Sequence, residues 1–276
     1  MKKVGYLGPA GTFSEQAASR YTSNEYVELL PFQTIVDVLD GLDSGMIDKG
    51  VVQIENTIDG SINLTLDRIT QSADLFVQGE ITLSITQCLL GIPGAKISDI
   101  REVWSIPPAI AQCRSFIKKI GATVKHFEST ASAAEEAKKS GRTDVGAVAS
   151  AWAANRIGLQ ILADQIQDTA VNHTRFVVVT KGKEPLDFPD KTMLLIIPCQ
   201  EYKGALANIL NIFSVLNLNL TWIESRPTKT RLGTYQFYLD VEAGETDECM
   251  SKALSILGML GHKIRVLGIY KASKPV

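Results

Sequence analysis

Apolar positions along the chain change period several times. At Ile35, Val38, Leu39 and Leu42 they recur three and four apart, one stripe of a helix over 34–42. At Ile81, Leu83 and Ile85 they alternate with Thr82, Ser84 and Thr86, the period of a half-buried strand. Short apolar runs at 2–7, 27–30, 51–54, 103–106, 124–127, 145–149 and 175–180 read as further strands. Helical segments follow most of them: 14–21, with Ser14 as cap and Glu15 in the first turn, then one from 64 to 69. Another is opened by Pro107-Pro108, and two more span 130–139 and 152–157. Strand and helix in repeated alternation predict an α/β region whose sheets are covered by helices.

The pattern changes after residue 180. The segment 181–190 is polar, holds Gly182, Pro185 and Pro189, and reads as a linker. Beyond it come strands at 192–197, 220–225, 234–241 and 263–269, with helices at 205–216 and 247–260. The order β-α-β-β-α-β in roughly 80 residues is the ferredoxin-like arrangement of an α+β domain.

A chain of 276 residues is too long for one small core and suits about two domains. Its net charge of −2 gives no basic excess, which argues against nucleic acid or an anionic membrane as partner. No apolar stretch approaches the roughly 18–20 residues of a membrane span. Gly8-Pro9 breaks the run after Lys2-Lys3 too early for a signal peptide, so a cytoplasmic protein is expected. Cys88, Cys113, Cys199 and Cys249 lie far apart without a Cys-x-x-Cys pair, and read as reduced, mostly buried thiols. His126, His173 and His262 are equally scattered, so metal catalysis is not expected.

Five segments gather groups that could hold a small anion. Gly8-Pro9-Ala10-Gly11-Thr12-Phe13-Ser14 sits between a strand and a helix, where backbone N–H groups and the Thr12 and Ser14 hydroxyls converge. It has neither the spacing of a dinucleotide fingerprint nor the lysine of a P-loop. Asn56, Thr57 and Ser61 follow the strand at 51–54, where ligands sit in α/β sheets. Ser129-Thr130 opens a helix, and Ala149-Ser150 follows a strand. Asn172-His173-Thr174-Arg175-Phe176 leads into a strand, with Arg175 offering the planar fork that grips carboxylates. His173 and Thr174 are neighbours in a strand and point to opposite faces, so they are not expected to share a pocket. Each segment alone is also what a capped turn or a structural ion pair looks like.

In this order the segments resemble the prephenate dehydratase family. The opening Gly5-Tyr6-Leu7-Gly8-Pro9-Ala10-Gly11-Thr12-Phe13-Ser14, the element Glu55-Asn56-Thr57…Gly60-Ser61 and the triplet Thr174-Arg175-Phe176 carry the likeness. Two departures are Thr57, where serine is usual, and Gln53, where proline is. Gly204-Ala205-Leu206 and Asn219-Leu220-Thr221-Trp222-Ile223-Glu224-Ser225-Arg226-Pro227 resemble the phenylalanine-binding kind of ACT domain.

The resemblance implies a decarboxylative dehydration of prephenate to phenylpyruvate, a carbon–oxygen lyase of phenylalanine biosynthesis without a cofactor. It implies a catalytic domain over 1–181, in two lobes like a type II periplasmic binding protein. One lobe comprises 1–78 plus 166–181, the other 79–165. An ACT domain over 191–274 follows, with L-phenylalanine as allosteric effector at Gly204, Ala205, Leu206, Asn219, Leu220 and Trp222. A homodimer or a dimer of dimers is implied, and no chorismate mutase segment in front. Thr174 is the expected catalytic residue, with Arg175 and Asn56. Thr12, Phe13, Ser14, Thr57, Ser61, Ser129, Thr130, Ala149, Ser150, Asn172 and Phe176 are the expected substrate contacts. Two rival readings stand beside this one: a module that binds an amino acid or small anion without chemistry, and the same dehydration on arogenate. An assay with each substrate separates them.

Overall fold

In the computed structural model, residues 1–200, 202–229 and 231–273 are described. Packing divides them into two units. The first comprises Met1–Thr65 and Ile81–Phe176; the second comprises Leu66–Glu80 and the chain from Val177 on.

The first unit opens with β1 (Lys2–Leu7), α1 (Phe13–Tyr21), β2 (Val27–Phe32), α2 (Ile35–Asp43), β3 (Lys49–Asn56) and β4 (Gly60–Ser61). β1 lies between β2 and β3, parallel to both, and β4 folds back on β3. The expected stripe of α2 is buried at Ile35, Val38, Leu39 and Leu42. Thr34 caps that helix from outside, its side chain accepting from Asp37 N–H while Asp37 accepts from Thr34 N–H. The cap of α1 differs from expectation. The helix begins one residue early, at Phe13, so Thr12 rather than Ser14 accepts from the Glu15 N–H.

A second sheet of this unit has the order β10-β6-β9-β7-β8. Its strands are β6 (Cys88–Gly91), β7 (Glu102–Ser105), β8 (Thr123–His126), β9 (Val145–Ala149) and β10 (Gln160–Ala163). Helices cover both faces: α4 (Pro107–Gln112) and α5 (Arg114–Ile120) on one, α6 (Thr130–Ser140) and α7 (Ala151–Ile157) on the other. Each central strand therefore buries both sides. Cys88, Leu90, Trp104, Ala147 and Ala149 face α6 and α7, while Leu89, Val103 and Val148 face the α4–α5 side. Such a strand shows no polar alternation; β7 and β9 were read from their apolar runs, and β6 was not among the strands read. The thiols of Cys88 and Cys113 are pushed up to about 12, chiefly by burial. Cys199 is exposed and Cys249 half-buried, so only two of the four cysteines meet the expectation of burial.

Three elements join the units along the chain: α3 (Asn63–Gln71), β5 (Leu75–Ser84) and β11 (His173–Lys181). β5 starts well before the expected 81, with a first half that carries Gln78 and Glu80 among its apolar positions. The second unit continues with β12 (Lys191–Ile197), α8 (Ala205–Val215), β13 (Leu220–Pro227), β14 (Tyr235–Val241), α9 (Glu248–Met259) and β15 (Lys263–Tyr270). Its sheet order is β13-β14-β12-β15, the expected ferredoxin-like arrangement, and β5 pairs with β15 through Val77 and Gly268. Ile209 and Phe213 of α8 and Met250, Ala253 and Leu257 of α9 close one face over Leu194, Ile196, Phe237, Leu239 and Val241.

Polar contacts from 66–80 tie to this unit. Thr70 bonds the Tyr238 hydroxyl at 2.7 Å. Asp67 accepts from Arg226 at 3.0 Å and from Lys229 at 2.7 Å. Buried Lys191 pairs with buried Glu80 at 3.2 Å and with Asp240 at 3.8 Å.

Candidate active-site cleft

The first unit holds an open cavity of about 1130 Å³, lined by segments from both of its sheets. The starts of two helices converge on it, α1 at Thr12–Ser14 and α6 at Ser129–Thr130. First-turn N–H groups left over by the caps suit an anion. Among the described residues that line the cavity there is no Lys, Arg or His, while Asp59 and Glu128 are present. Anion binding there falls to neutral donors.

The polar wall is built on the end of β3 and the start of β11. Asn56 Oδ1 accepts from the N–H groups of Ile58 (2.8 Å) and Asp59 (3.0 Å). Backbone N–H groups only donate, so the amide orientation is fixed and Nδ2 faces the other way. There it donates to Asn172 Oδ1 and to Thr174 Oγ1, both at 2.9 Å. Asn172 Nδ2 in turn donates to Gln112 Oε1 at 3.1 Å. Thr174 Oγ1 is thus an acceptor towards Asn56, and its own hydrogen has no acceptor among the described residues. Ser14 is similar: its Oγ accepts from Gln53 Nε2 at 3.3 Å.

Other expected residues lie elsewhere or are already occupied. Thr12 and Ser129 line the cavity, but their hydroxyls are used as caps, Thr12 also donating to Leu7 O at 3.0 Å. Phe13 and Thr130 line it too. Thr57 does not: its Oγ1 accepts from the His173 N–H at 2.9 Å. Ser61, Ala149 and Ser150 are off the lining, Ser150 capping α7 through the Ala153 N–H. Phe176 is core at 0% exposure. Arg175 corrects the expected carboxylate anchor. Strand alternation turns it away from Thr174, and its guanidinium lies 4.0 Å from Glu55, outside the lining. His173 is off the lining as well, as that alternation requires.

The sequence reading missed Gln53, Gln87 and Gln112 as lining residues. Glutamine carries no motif, and only the strand-end positions of Gln53 and Gln87 hinted at them. It also missed the buried carboxylate of Glu15, which accepts from the Gly11 N–H (2.7 Å) and the Trp152 indole (3.0 Å) and pairs with Arg156 at 3.2 Å. These contacts fix the Gly-rich loop against α7. Among the described residues no cluster of His, Cys, Asp and Glu could hold a metal, and no helix is long and apolar enough to cross a membrane.

An α/β unit of two sheets, with helix starts and neutral donors around one cleft and a ferredoxin-like unit along the same chain, is the class that the fold and cleft define. The family model for prephenate dehydratase matches residues 4–184. The chain belongs to that family and is an enzyme of its kind, a lyase. The prephenate dehydratase of Bacillus subtilis is 37% identical to it over 98% of this chain and 99% of its own. The crystal structure of the Staphylococcus aureus enzyme superposes with a TM-score of 0.88 at 33% identity, covering 98% of this chain and all of that one. The Arthrobacter aurescens enzyme, solved in complex with L-Phe, gives 0.88 at 31% identity, covering 98% and 90%.

Proposed function

We propose that the cleft carries out the decarboxylative dehydration of prephenate to phenylpyruvate, with Thr174 as the residue that touches the departing hydroxyl. Prephenate has two carboxylates, a keto group and a ring hydroxyl. The C–C bond to the ring carboxylate breaks, its electron pair enters the ring, and carbon dioxide leaves. The ring C–O bond breaks, and the oxygen takes a proton and leaves as water. Aromatisation drives both changes. The chain therefore has to hold the substrate and supply a hydrogen to the leaving oxygen.

One observation carries the reading: the fixed amide of Asn56 makes Thr174 Oγ1 an acceptor on one side and leaves its hydrogen for the cavity. A threonine hydroxyl is too weak an acid for free proton transfer. Preorganised donors around the leaving oxygen have to stabilise the charge as it develops. The neutral lining suits the other half of the reaction. A cation bound to the ring carboxylate would stabilise the reactant more than a transition state in which that charge moves into the ring. Asn172, Ser14, Phe13 and Thr130 are the substrate contacts of this reading. Thr12 and Ser129 act through the helix starts that they cap.

The wider reading divides the chain into a catalytic domain at 1–181 with lobes at 1–78 plus 166–181 and at 79–165, and a regulatory ACT domain at 191–274. Residue 274 lies outside the described residues. L-phenylalanine binds the regulatory domain between subunits of a homodimer. Gly204, with φ +89°, opens α8 at Ala205-Leu206 and presents first-turn N–H groups to a carboxylate. Leu220 and Trp222 supply apolar surface for the ring. Asn219 is engaged with Glu242 at 2.7 Å and would exchange that bond for the ligand. A cytoplasmic setting agrees with four unpaired cysteines.

The test is phenylpyruvate formation from prephenate, read by ultraviolet absorbance, with arogenate and L-phenylalanine as further arms. Thr174→Ala lowers kcat by about 100-fold or more on this reading. Near-wild-type turnover in that variant removes the role. Turnover of arogenate alone moves the substrate, and turnover indifferent to L-phenylalanine removes the regulatory site.

A further inference from the structure

Glu15 stands third in α1, behind the cap Thr12, at the Thr-x-x-Glu spacing of a capping box. In such a box the carboxylate reaches back to the N–H of the cap itself. Here it reaches one residue further, to the Gly11 N–H at 2.7 Å. The N–H groups of Thr12, Phe13 and Ser14 are left without an acceptor among the described residues, and all three residues line the cavity. Glu15 is 2% exposed, and its other partners come from α7, on the second sheet. Trp152 Nε1 donates to the same carboxylate oxygen at 3.0 Å, and Arg156 Nη2 pairs with the other at 3.2 Å. Four residues apart, the two lie on one face of that helix. Gly11 is pressed onto the same layer. With φ at +88°, a Cβ on it would lie 3.4 Å from Ala131 Cβ of α6 and 3.6 Å from Ile157 Cδ1 of α7.

A buried negative charge behind a loop that faces an anion works against binding, so its presence needs a reason. A carboxylate can serve all three donors at once, whereas a neutral amide at this place has one acceptor oxygen. The chain crosses between the two sheets of the first unit at 85–87 and again at 164–172. The crossings bond to each other, through the Ile85 N–H to the Asn172 carbonyl at 2.7 Å and the Ile166 N–H to the Gln87 carbonyl at 2.9 Å. Two adjoining crossings leave the freedom of a hinge, and the Glu15 contacts belong to neither of them. We propose that Glu15 is a positioning residue that latches the start of α1 to α7, fixing the spacing between the substrate-holding groups of the two sheets before substrate arrives. What is held rests on the dehydratase reading; the latch itself does not. Phe13 and Ser14 stand on α1, and Thr130 opens α6. Thr174 and Asn56 are on β11 and β3, in the same sheet as β1. Severing the latch therefore leaves the reacting groups together and parts them from the second sheet. Substrate must then draw the sheets together itself, which raises KM by the fraction of protein standing open and spares kcat.

Trp152→Phe removes one donor of the latch and changes no charge. Arg156→Met removes another, and its side chain is 59% exposed, so little packing goes with it. Steady-state kinetics on prephenate and hydrogen exchange at the Gly11 amide are measured for each, the exchange with and without phenylpyruvate. The expected result is KM raised by roughly 3- to 30-fold with kcat within about twofold. In the free variants the Gly11 amide exchanges at least about tenfold faster than in the wild type, and saturating phenylpyruvate restores the slow rate. Arg156→Lys, which keeps the cation, stays within about threefold of the wild type in both measurements. Wild-type exchange in the free variants overturns the latch. So does fast exchange that phenylpyruvate leaves unchanged, or a lowered kcat with KM unmoved, because either makes Glu15 a contact of the fold alone. A Trp152→Phe protein that fails to fold has the same meaning. A wild-type protein without turnover on prephenate overturns the dehydratase reading, and the exchange rates of the free proteins then decide the latch on their own.

Discussion

Asn56 spends its carbonyl oxygen on two backbone N–H groups and its amino group on Asn172 and Thr174. Two substitutions separate its orienting role from mere packing. Asn56→Ala leaves Thr174 without its donor and lowers kcat by about 10- to 100-fold. Asn56→Asp keeps the shape but offers an acceptor where the amino group was, so the Thr174 hydrogen turns inward and away from substrate. The aspartate variant is therefore at least as slow as the alanine variant, although it is nearly isosteric. An aspartate variant faster than the alanine variant would contradict the polarity argued for this chain of amides. Residue chemistry was legible in the sequence where a motif or a strand period carried it. Thr174 and Arg175 are adjacent, so alternation sends only one into the cleft, and motif likeness alone had kept both. Gln53, Gln87 and Gln112 were not legible because an amide has no characteristic spacing, and its role depends on neighbours brought together by the fold.

At the level of elements, local signals were read well and global ones less so. Helix starts carry their own chemistry, and Thr34, Ser129 and Asp247 each cap a helix that the sequence reading began at or just after them. β10 was missed because its four residues, two exposed and two half-buried, give no period. The first half of β5 was missed because Gln78 and Glu80 break the apolar run, although both are buried with partners. Gln78 donates to the Glu184 carbonyl at 2.8 Å, and Glu80 pairs with Lys191. Those pairings make element-scale predictions. Lys191→Met leaves Glu80 and Asp240 buried without their cation and destabilises the second unit by about 3–5 kcal/mol, measured by urea unfolding. Gly268→Ala is also costly. A Cβ there would lie 2.5 Å from the Val77 carbonyl oxygen across the β15–β5 pairing, and backbone cannot step aside as a side-chain tip can. A loss of about 1–3 kcal/mol is expected in the same assay.

For the molecule as a whole, stability drains away at both ends of the pH scale. In the first unit, burial pushes the Tyr6 hydroxyl up from 10.0 to about 12, with the Glu15 carboxylate adding to it. A raised value means stability that is complete below pH 10 and drains away as pH climbs towards 12. Tyr6→Phe makes that alkaline slope shallower, while the buried thiols of Cys88 and Cys113 keep their share of it. In the second unit, burial alone would raise the Asp67 carboxyl, but hydrogen bonds from Lys229 and Arg226 outweigh it and hold the group below 3.8. A lowered value means stability that is present above that pH and lost as acid protonates the folded form. Asp67→Asn flattens the acid limb and leaves the alkaline one. Unfolding free energy measured across pH in both variants checks the two signs independently.

The cleft wall without a Lys, Arg or His among its described residues also governs traffic. Fixed cations focus a field into solvent and raise the capture rate of an anion by roughly 10- to 1000-fold, at the cost of steep dependence on ionic strength. This cleft has no such beacon. On the proposed reading, a dianionic substrate gains no pull from cations in the wall itself and is recognised on contact, once it meets the helix starts and amides. The second-order rate of capture should change little between dilute buffer and physiological salt, and a monoanionic product meets no counter-ion to detain it on the way out.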